Sequence, residues 1–573
     1  MDYDLLQLQE IYAPRPVAVP PVNATRELMQ LPGGEIRHYH LLEQELVSDY
    51  FLASKDYGLS WKKFPAPPNC PGATVCSPYS GDFLTLRTDR SSPQQLLLFR
   101  SQNGCDGDYT RTAVATLSGG LVCRQPLPLR RIKRWVLPVQ EHRPGEPRRC
   151  PAVLLSDDDG YSWQSVHLPT LPVLKVAAPH QGVRWLDCGP EPTIAELADG
   201  RLMMLLRTAM DFYYQSFSDD YGQTWTAAEP SPFYGTITSP LLLTLSSGQL
   251  LFFGNLTQPL PELAHQQTAY LNDSELSGQS EDVFTNRDVL HAALSDDHGR
   301  TWQGFREIWL NPLRNAADFR LAGGRADSND RSVHQAQALE LPDGKILVAC
   351  GQHPLSRMML IFASDWLLEK ERSDDFSCGL GDWSVHQYVK SRLGNTRGPA
   401  TGHCAYNRRP GAALIPSPLD YRECLQVARF ADPRLIEERQ GAVWNFPMAA
   451  RGFLRLEFMP QSGAGEVLFL LHDHWLNPTD VNARQYACLS LQLQPGGQIG
   501  PEQSRLNEKN VLEIFWHCAN LQDCFFRLND AAMQPIEFLR PPLHGLNYLH
   551  IQSASANTDP LGVLIFSVKA GQR

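Results

Sequence analysis

The chain has 573 residues, enough for several domains and a sizeable core. It carries 51 lysines and arginines against 62 aspartates and glutamates, a formal net charge of −11, which argues against a general electrostatic grip on nucleic acid or anionic lipid. Hydrophobic residues make up 42% and charged residues 20%, as in ordinary globular proteins, and no apolar run approaches the roughly 18 residues of a membrane-spanning helix.

The N-terminal segment is acidic and lacks the basic and apolar stretches of a secretory signal. We therefore expect a cytoplasmic protein. The 13 cysteines are scattered without Cys-x-x-Cys pairs. This spacing favours reduced, mostly buried thiols over a disulfide framework or a zinc site.

An eight-residue pattern, Ser-x-Asp-x-Gly-x-x-Trp, occurs four times, at residues 54–61, 156–163, 218–225 and 295–302. The Ser and Asp side chains can accept hydrogen bonds from nearby backbone N–H groups, and Gly supplies the positive φ of a tight turn. The Trp ring can pack the turn onto the sheet beneath it. Each octet therefore predicts a turn between two strands.

A second repeat of strand, Gly turn and strand alternates with the octets, at residues 31–36, 197–202, 245–250 and 341–346. Two hairpins per unit make a four-stranded sheet, and radial repetition of such sheets is a β-propeller. We expect six blades. The unequal spacing of the octets predicts loops of different length on one face, where scaffolds of this kind carry function.

The pattern changes from about Asp374. No octet follows, and the short strands at 452–458, 467–471 and 562–568 predict a β-sandwich. The stretch 363–372 is predicted to link the two parts, in part as a short helix.

The four octets resemble the Asp-box, or BNR, repeats of the sialidase (neuraminidase) superfamily. The resemblance implies a sialidase-like propeller over residues 1–372 and an exo-α-sialidase-like glycosidase activity. It also leaves 373–573 as an accessory β-sandwich, similar in strand pattern to concanavalin-like jelly rolls. Asp boxes lie at the periphery of the family's propeller, so their aspartates are predicted to form turns rather than to catalyse; here they are Asp56, Asp158, Asp220 and Asp297.

The resemblance implies an active site with three arginines, a tyrosine, a glutamate and an aspartate. The arginines bind the carboxylate of sialic acid, since planar guanidinium groups bond carboxylates through two N–H groups at once. A neutral tyrosine, activated by the glutamate, serves as nucleophile because the same carboxylate would repel an anionic one. The aspartate serves as acid and base.

Two of these positions fall near the N-terminus. Arg26 stands where the family has its first arginine, although Glu27-Leu28 replaces the family's Ile-Pro. Asp49 falls near the expected acid/base, with Asp106 and Asp108 as alternatives. An exposed loop acid without a catalytic role is the other interpretation of Asp49.

The middle of the chain matches the family best. Within residues 189–208, the segment Gly-Pro-Glu-Pro-Thr assigns the activating glutamate to Glu191, and Leu-Leu-Arg-Thr assigns the second arginine to Arg207. Arg287, at the head of an apolar strand, resembles the third arginine. A charged group at such a place needs a partner or a ligand.

The nucleophile departs from the family pattern. Where the family places a tyrosine shortly before a Leu-Pro-Asp-Gly turn, this chain has His334 and no tyrosine. Either a tyrosine from elsewhere takes the role, with Tyr213 and Tyr214 nearest to Arg207 in sequence, or His334 acts as a general acid or base. A structural histidine bonded within its strand is the third interpretation.

The leading function is thus hydrolysis of a terminal sialic acid or related acidic sugar. Its partner is an acidic oligosaccharide or glycoconjugate, and neither nucleic acid nor membrane is expected. No metal or organic cofactor is implied, because His472 and His474 on one face of a strand do not complete a metal site. The alternatives are a lyase acting on a uronate-containing glycan, with His334 as base, and a propeller that binds acidic glycans without turnover.

Overall fold

The computed structural model describes residues 3–22, 26–89, 94–120, 122–143, 145–146, 149–169, 171, 189, 191–208, 210–235, 238–258, 287–312, 333–352, 354–389, 407–431 and 439–573. Within them the chain is almost entirely β-sheet, with two short α-helices, α1 (Tyr3–Gln9) and α2 (Ala483–Tyr486). Neither of these two helices is long enough to cross a lipid bilayer.

Six antiparallel four-stranded sheets form the first part of the fold. The first strand in the chain is β1 (Arg15–Ala18); blade I then has β2 (Leu28–Gln30), β3 (Ile36–Leu42), β4 (Val47–Ser54) and β5 (Lys62–Pro65), and blade II has β6 (Val75–Cys76), β7 (Phe83–Thr88), β8 (Gln94–Ser101) and β9 (Thr110–Leu117). Blade III has β10 (Leu127–Pro128), β11 (Trp135–His142), β12 (Arg149–Ser156) and β13 (Gln164–His167), and blade IV has β14 (Thr193–Glu196), β15 (Leu202–Leu206), β16 (Phe212–Ser218) and β17 (Glu229–Tyr234). Blade V has β18 (Leu241–Thr244), β19 (Leu250–Gly254), β20 (Val289–Ser295) and β21 (Gln303–Leu310), and blade VI has β22 (Gln337–Glu340), β23 (Lys345–Cys350) and β24 (Met358–Ala363).

The blades are arranged radially in a closed ring. A separate apolar cluster fills each of the six seams between neighbouring blades, including the seam between blades VI and I. The first strands of neighbouring blades touch, as β14 and β18 do, whereas the fourth strands β5 and β13 are largely exposed. The first strand of each blade therefore lies innermost, and the prediction of a six-bladed propeller is confirmed.

The N-terminal strand β1 closes the ring. It pairs antiparallel with β24, so that blade VI has three strands from the end of the propeller and one from its beginning. Leu8 of α1 and Ile11 are buried against blades VI and I beside it. The first and last strands of the propeller thus pair with each other, so that neither end of the ring is left open.

The octets form the predicted turns between the third and fourth strands of blades I, III, IV and V. In blade III, Ser156 Oγ accepts a hydrogen bond from the Gly160 N–H (2.8 Å), and Asp158 Oδ1 accepts one from the Ser162 N–H (2.9 Å). Trp163 Nε1 donates to the Gly160 carbonyl (2.9 Å), and Gly160 has φ 90°. The other three octets repeat these bonds.

The second part of the fold packs two large sheets face to face. One sheet has eight strands and the other seven, and a single large apolar core lies between them. The strands in chain order are β25 (Glu371–Asp374), β26 (Trp383–Ser384), β27 (His386–Val389), β28 (Asn407–Pro410), β29 (Ala413–Pro416), β30 (Glu423–Arg429), β31 (Gly441–Ala449), β32 (Arg451–Pro460), β33 (Val467–His472), β34 (Leu489–Leu493), β35 (Gln498–Ile499), β36 (Glu502–Gln503), β37 (Asn510–His517), β38 (Phe525–Leu528), β39 (Gln534–Pro535), β40 (Leu546–Ser553) and β41 (Asp559–Gln572). The prediction of a β-sandwich is confirmed.

A short connection joins the two parts. A 3-10 turn, Ser364–Leu368, follows β24, and β25 then pairs with β41 of the sandwich. The sandwich sheet thus begins just before residue 373. The domain limits of 1–372 and 373–573, and the likeness of the sandwich to concanavalin-like jelly rolls, stay predictions.

Candidate functional site

Strand order places the predicted site residues at one end of the propeller. In a four-stranded antiparallel blade, the first strand begins, the second ends and the third begins at the same end. Glu191 lies just before β14, Arg207 directly follows β15, and Arg287 lies just before β20. The Asp-box turns, which join third and fourth strands, lie at the opposite end.

Glu191 and Arg207 form a buried ion pair. Arg207 Nη1 lies 2.6 Å from Glu191 Oε2, and the two side chains are 6% and 11% exposed. Next to them, the Gly189 N–H donates to the Arg207 carbonyl at 2.7 Å, which ties the two chain segments together. Glu191 has φ 51°, a left-handed conformation that is uncommon for a non-glycine residue and is often found at functional sites.

More than one guanidinium group acts on the Glu191 carboxylate. Burial alone would raise its pKa, but the charges of Arg207, Arg124 and Arg287, together with the hydrogen bond from Arg207, hold the pKa below its ordinary value. Glu191 is therefore ionised at neutral pH. We call Arg26, Arg124, Arg207 and Arg287, with Glu191 and His334, the arginine cluster.

Arg287 and His334 meet where blades V and VI adjoin. Both side chains are buried, and the Val333 N–H donates to the Arg287 carbonyl at 2.8 Å. Burial and the charges of Arg287 and Arg207 lower the pKa of His334 well below its ordinary value. Its imidazole is thus neutral at physiological pH and, with its lowered pKa, a weaker base than an ordinary histidine.

Arg26 borders the same cluster from the side of blades I and II. Its guanidinium group donates to the Val122 carbonyl at 2.7 Å and to the Leu86 carbonyl, and burial with the nearby Arg87 charge lowers its pKa to about 9. The charge of Arg26 also acts on the Cys123 thiol. Burial and Glu191 raise the pKa of that thiol to about 12, against the opposing charges of Arg124, Arg26 and Arg207.

The two tyrosines on β16 point to opposite faces of their strand, as the alternation of side chains requires. The ring of Tyr214, the predicted nucleophile candidate, packs with Ile194 and Met204 between blades III and IV. The Tyr213 hydroxyl lies 2.5 Å from Thr238 Oγ1. The same hydroxyl accepts from the Asn255 N–H at 3.2 Å. Burial raises the pKa of Tyr213, while these hydrogen bonds and the charges of Arg207 and Arg287 act to lower it.

Asp49, the predicted acid/base, makes other contacts. It lies on β4 with its side chain half exposed, and His40 Nδ1 is 2.6 Å from its carboxylate. Burial acts to raise the pKa of Asp49, but the bond and charge of His40, together with backbone hydrogen bonds, outweigh it and lower the pKa. Of its alternatives, Asp106 pairs with Arg37 at 2.6 Å, and Asp108 is exposed. In the described part of the chain, neither Asp49 nor Asp106 contacts the arginine cluster.

Sequence reasoning missed Arg124. Its guanidinium group donates to the carbonyls of Pro240 (2.7 Å) and Ala336 (2.8 Å), so this side chain from blade III reaches blades V and VI across the ring. It precedes β10 by three residues, just as His334 precedes β22. That shared position before an innermost strand is the signal that could have found it.

Metal ligation has no support among the residues that the structure describes, where no group of three or more His, Cys, Asp or Glu side chains could hold an ion. The His474 ring is bonded on both sides, with Asp473 at 2.8 Å and Gln258 at 2.9 Å.

Comparison with known proteins identifies the repeats. Residues 113–372 match the family described as a BNR repeat-like domain. No curated protein matches the chain.

Several solved structures are similar. Trypanosoma rangeli sialidase in complex with 2,3-difluorosialic acid is 12% identical over 98% of this chain and 91% of its own, with a TM-score of 0.37. Penicillium chrysogenum α-L-arabinanase in complex with arabinobiose is 12% identical over 63% of this chain and 99% of its own, also with a TM-score of 0.37. NanB sialidase from Streptococcus pneumoniae is 11% identical over 61% of this chain and 71% of its own, with a TM-score of 0.36. At such low likeness, the role of each residue rests on the chain's own contacts.

Proposed function

We propose that the protein is a glycoside hydrolase of the sialidase type, which removes a terminal sialic acid or a related acidic sugar. The observation that carries this proposal is the buried Glu191–Arg207 ion pair, on whose carboxylate the charges of Arg124 and Arg287 also act. A site that already holds a carboxylate among guanidinium groups has the charge and geometry to bind a second one from a ligand.

In the proposed reaction, Arg26, Arg207 and Arg287 bind the sugar carboxylate. Arg124 is fixed by two backbone carbonyls and adds positive charge without moving. Water adds across the glycosidic bond, so that its oxygen ends on the anomeric carbon and one proton ends on the leaving oxygen. Ionised Glu191 takes a proton from the attacking hydroxyl, either that of a tyrosine, with Tyr213 and Tyr214 as candidates, or that of water. Asp49 stays the candidate for the acid.

His334 supports a second candidate, a lyase acting on a uronate. A neutral imidazole beside two arginines can remove the proton α to a carboxylate that those arginines bind. The bond from the β-carbon to the leaving oxygen then breaks, a carbon–carbon double bond forms in the product, and the leaving oxygen takes up a proton from a general acid, for which a tyrosine hydroxyl is the candidate. Because that unsaturated uronate absorbs ultraviolet light, product absorbance distinguishes the lyase from the hydrolase.

Kinetics on a panel of fluorogenic sialosides and uronides test the proposal. We expect the wild type to turn over at least one sialoside, and Glu191→Gln and Arg287→Lys to lower kcat/KM by about 100-fold or more. Arg201→Gln is the matched control, since this arginine lies in blade IV at the opposite end and pairs with Asp199 at 2.9 Å. Its kcat/KM should stay within about twofold of wild type.

Each other outcome has a defined meaning. Turnover of no substrate rejects the hydrolase, and an ultraviolet-absorbing product from a uronide selects the lyase. Saturable binding of sialic acid without turnover selects a binding protein. Full activity of both site variants rejects the residue assignments and leaves the activity itself intact.

A further inference from the structure

A second cavity lies far from the arginine cluster, where blade V, the connecting turn and the sandwich meet. Its volume is about 730 Å³. The residues that give it its chemistry come from β21, the turn after β24 and the segment 369–382; they are Arg306, Trp309, Trp366, Glu369, Arg372 and Asp382. Because β21 is the outermost strand of its blade, this cavity is peripheral, whereas the arginine cluster is central.

The positive charges in this cavity are already neutralised. Arg306 Nη1 lies 2.9 Å from Glu369 Oε2, and Arg372 Nη2 lies 2.5 Å from Asp382 Oδ2. Two further carboxylates, Glu307 and Glu371, also line the cavity. Glu371 pairs with Lys569 at 3.0 Å, so one carboxylate charge is in excess, which disfavours an anionic ligand and leaves oxygen atoms that accept hydrogen bonds.

Aromatic surface lines the same cavity. The Trp309 ring is partly exposed, and the Arg306 guanidinium lies 4.1 Å from the centre of the Trp366 ring, which fixes that arginine in place. Trp309 Nε1 is buried, and among the described residues no acceptor is within hydrogen-bond distance of it. Because this atom is closed to solvent, the indole can meet a ligand only through its exposed carbon surface.

We propose that this cavity binds a neutral, hydroxyl-rich sugar residue. The apolar face of the sugar stacks on the exposed part of the Trp309 ring, and its hydroxyls donate to the carboxylates of Glu369 and Asp382. This site is separate from the arginine cluster. The inference does not depend on which reaction takes place at that cluster. On a glycan with both kinds of residue, it would bind a neutral sugar while the acidic end lies elsewhere.

Binding of lactose, maltose and N-acetyllactosamine to the full chain tests the inference, by saturation-transfer NMR and titration calorimetry. We expect saturable binding of at least one of them and none of free sialic acid at this cavity. Trp309→Phe keeps an aromatic stacking surface, so its affinity should stay within about threefold of wild type. Trp309→Ala and Asp382→Asn should each weaken it tenfold or more.

Two controls separate this site from the other. Tyr421→Ala removes an aromatic ring that is fully exposed elsewhere on the sandwich and should leave binding unchanged. Glu191→Gln should also leave neutral-sugar binding unchanged, even where it abolishes turnover. The inference is overturned if none of the three sugars saturates the protein at about 10 mM, or if a Trp309→Ala variant that melts like the wild type binds them with unchanged affinity. If the inference on the neutral sugar fails in this way, the proposed turnover of acidic substrates at the arginine cluster still stands.

Discussion

Buried arginines carry much of the polar chemistry of this propeller. Arg100 bonds to the carboxylates of Asp82 and Asp159, between blades II and III, and Arg87 pairs with Glu27 at 2.6 Å. These guanidinium groups have carboxylate partners from their own neighbourhood. In the arginine cluster, by contrast, the charges of three arginines act on Glu191, and that concentration of positive charge is what makes the site chemically distinct.

The serine of each Asp box is predicted to matter more than the other hydroxyl residue of the same turn. In Ser156→Ala, the buried Gly160 N–H loses its acceptor, which costs about 1 to 3 kcal/mol in the free energy of unfolding. Ser162→Ala is the control, because its exposed hydroxyl bonds to Asp158 where water can replace it. Thermal melts should show a clearly larger decrease in Tm for Ser156→Ala, and equal decreases would contradict the role of the serine.

Buried histidines predict a loss of stability in acid. Burial lowers the pKa of His550 to about 4, so between pH 6.5 and 4 the unfolded chain binds a proton that the folded chain does not. Stability is therefore full above pH 6.5 and falls by about 1.4 kcal/mol per pH unit for this histidine as the pH decreases toward 4. Tm measured from pH 7.5 to 4.5 should fall less steeply in His550→Gln than in the wild type.

The control for that series is His517→Gln, which changes a partly exposed histidine of the same sandwich and should keep the wild-type slope. An unchanged slope in His550→Gln would show that other groups cause the acid sensitivity.

At the residue scale, local motifs predicted part of the site. The segment around Glu191 and Arg207 predicted two residues that do form a pair, because antiparallel pairing of β14 with β15 follows from the turn between them. Arg124 has no motif, since only the closed ring brings it to Pro240 and Ala336. Asp49 was chosen by its sequence distance from Arg26, and such a distance does not determine where a side chain points.

At the scale of elements, the turns were predictable and the closure was not. Each Asp box has its hydrogen bonds within eight residues, so its structure is determined locally. The pairing of β1 with β24 joins segments from opposite ends of the propeller, and no local pattern indicates such a pairing. Helix α1 could not be predicted from the sequence either, because its seven residues gain their stability from packing on blades VI and I.

Two leucines of α1 give a matched test of that packing. Leu8 is fully buried, whereas Leu6 is 40% exposed. Leu8→Ala removes buried methyl groups from the seam and should cost about 2 to 4 kcal/mol, while Leu6→Ala should cost less than about 1 kcal/mol. Denaturant unfolding measures both changes, and similar values would show that α1 does not brace the ring closure.

At the scale of the whole molecule, the sandwich packs directly on blades IV and V. The Tyr548 hydroxyl donates to Glu307 (2.7 Å) and accepts from His291 Nε2 (2.6 Å), while His291 Nδ1 accepts from the Leu256 N–H. Trp475 exchanges backbone hydrogen bonds with the segment just after β19. The sandwich thus holds the strand β20, at whose head Arg287 lies, from the outside.

A buried charge at this contact is predicted to be sensitive to neutralisation. Asp473 is 2% exposed and accepts hydrogen bonds from Arg540, the Leu543 N–H and the Tyr234 hydroxyl of blade IV. Asp473→Asn leaves the Arg540 charge without its counter-charge and should cost about 3 to 5 kcal/mol. Calorimetry should show a lower Tm for Asp473→Asn. The Tm of Asp523→Asn, whose carboxylate is 44% exposed beside His517, should be nearly that of the wild type. A wild-type melting curve for Asp473→Asn would rule out this role.

The closure of blade VI has a consequence for synthesis of the protein. The strand β1 is made before every other strand of the propeller, and its partner β24 is made only after blades I to V. While those five blades are synthesised, β1 therefore has no partner strand, and its backbone N–H and C=O groups stay unpaired. Completion of the ring, and with it assembly of the arginines from different blades around one axis, is a late event that the emergence of blade VI triggers.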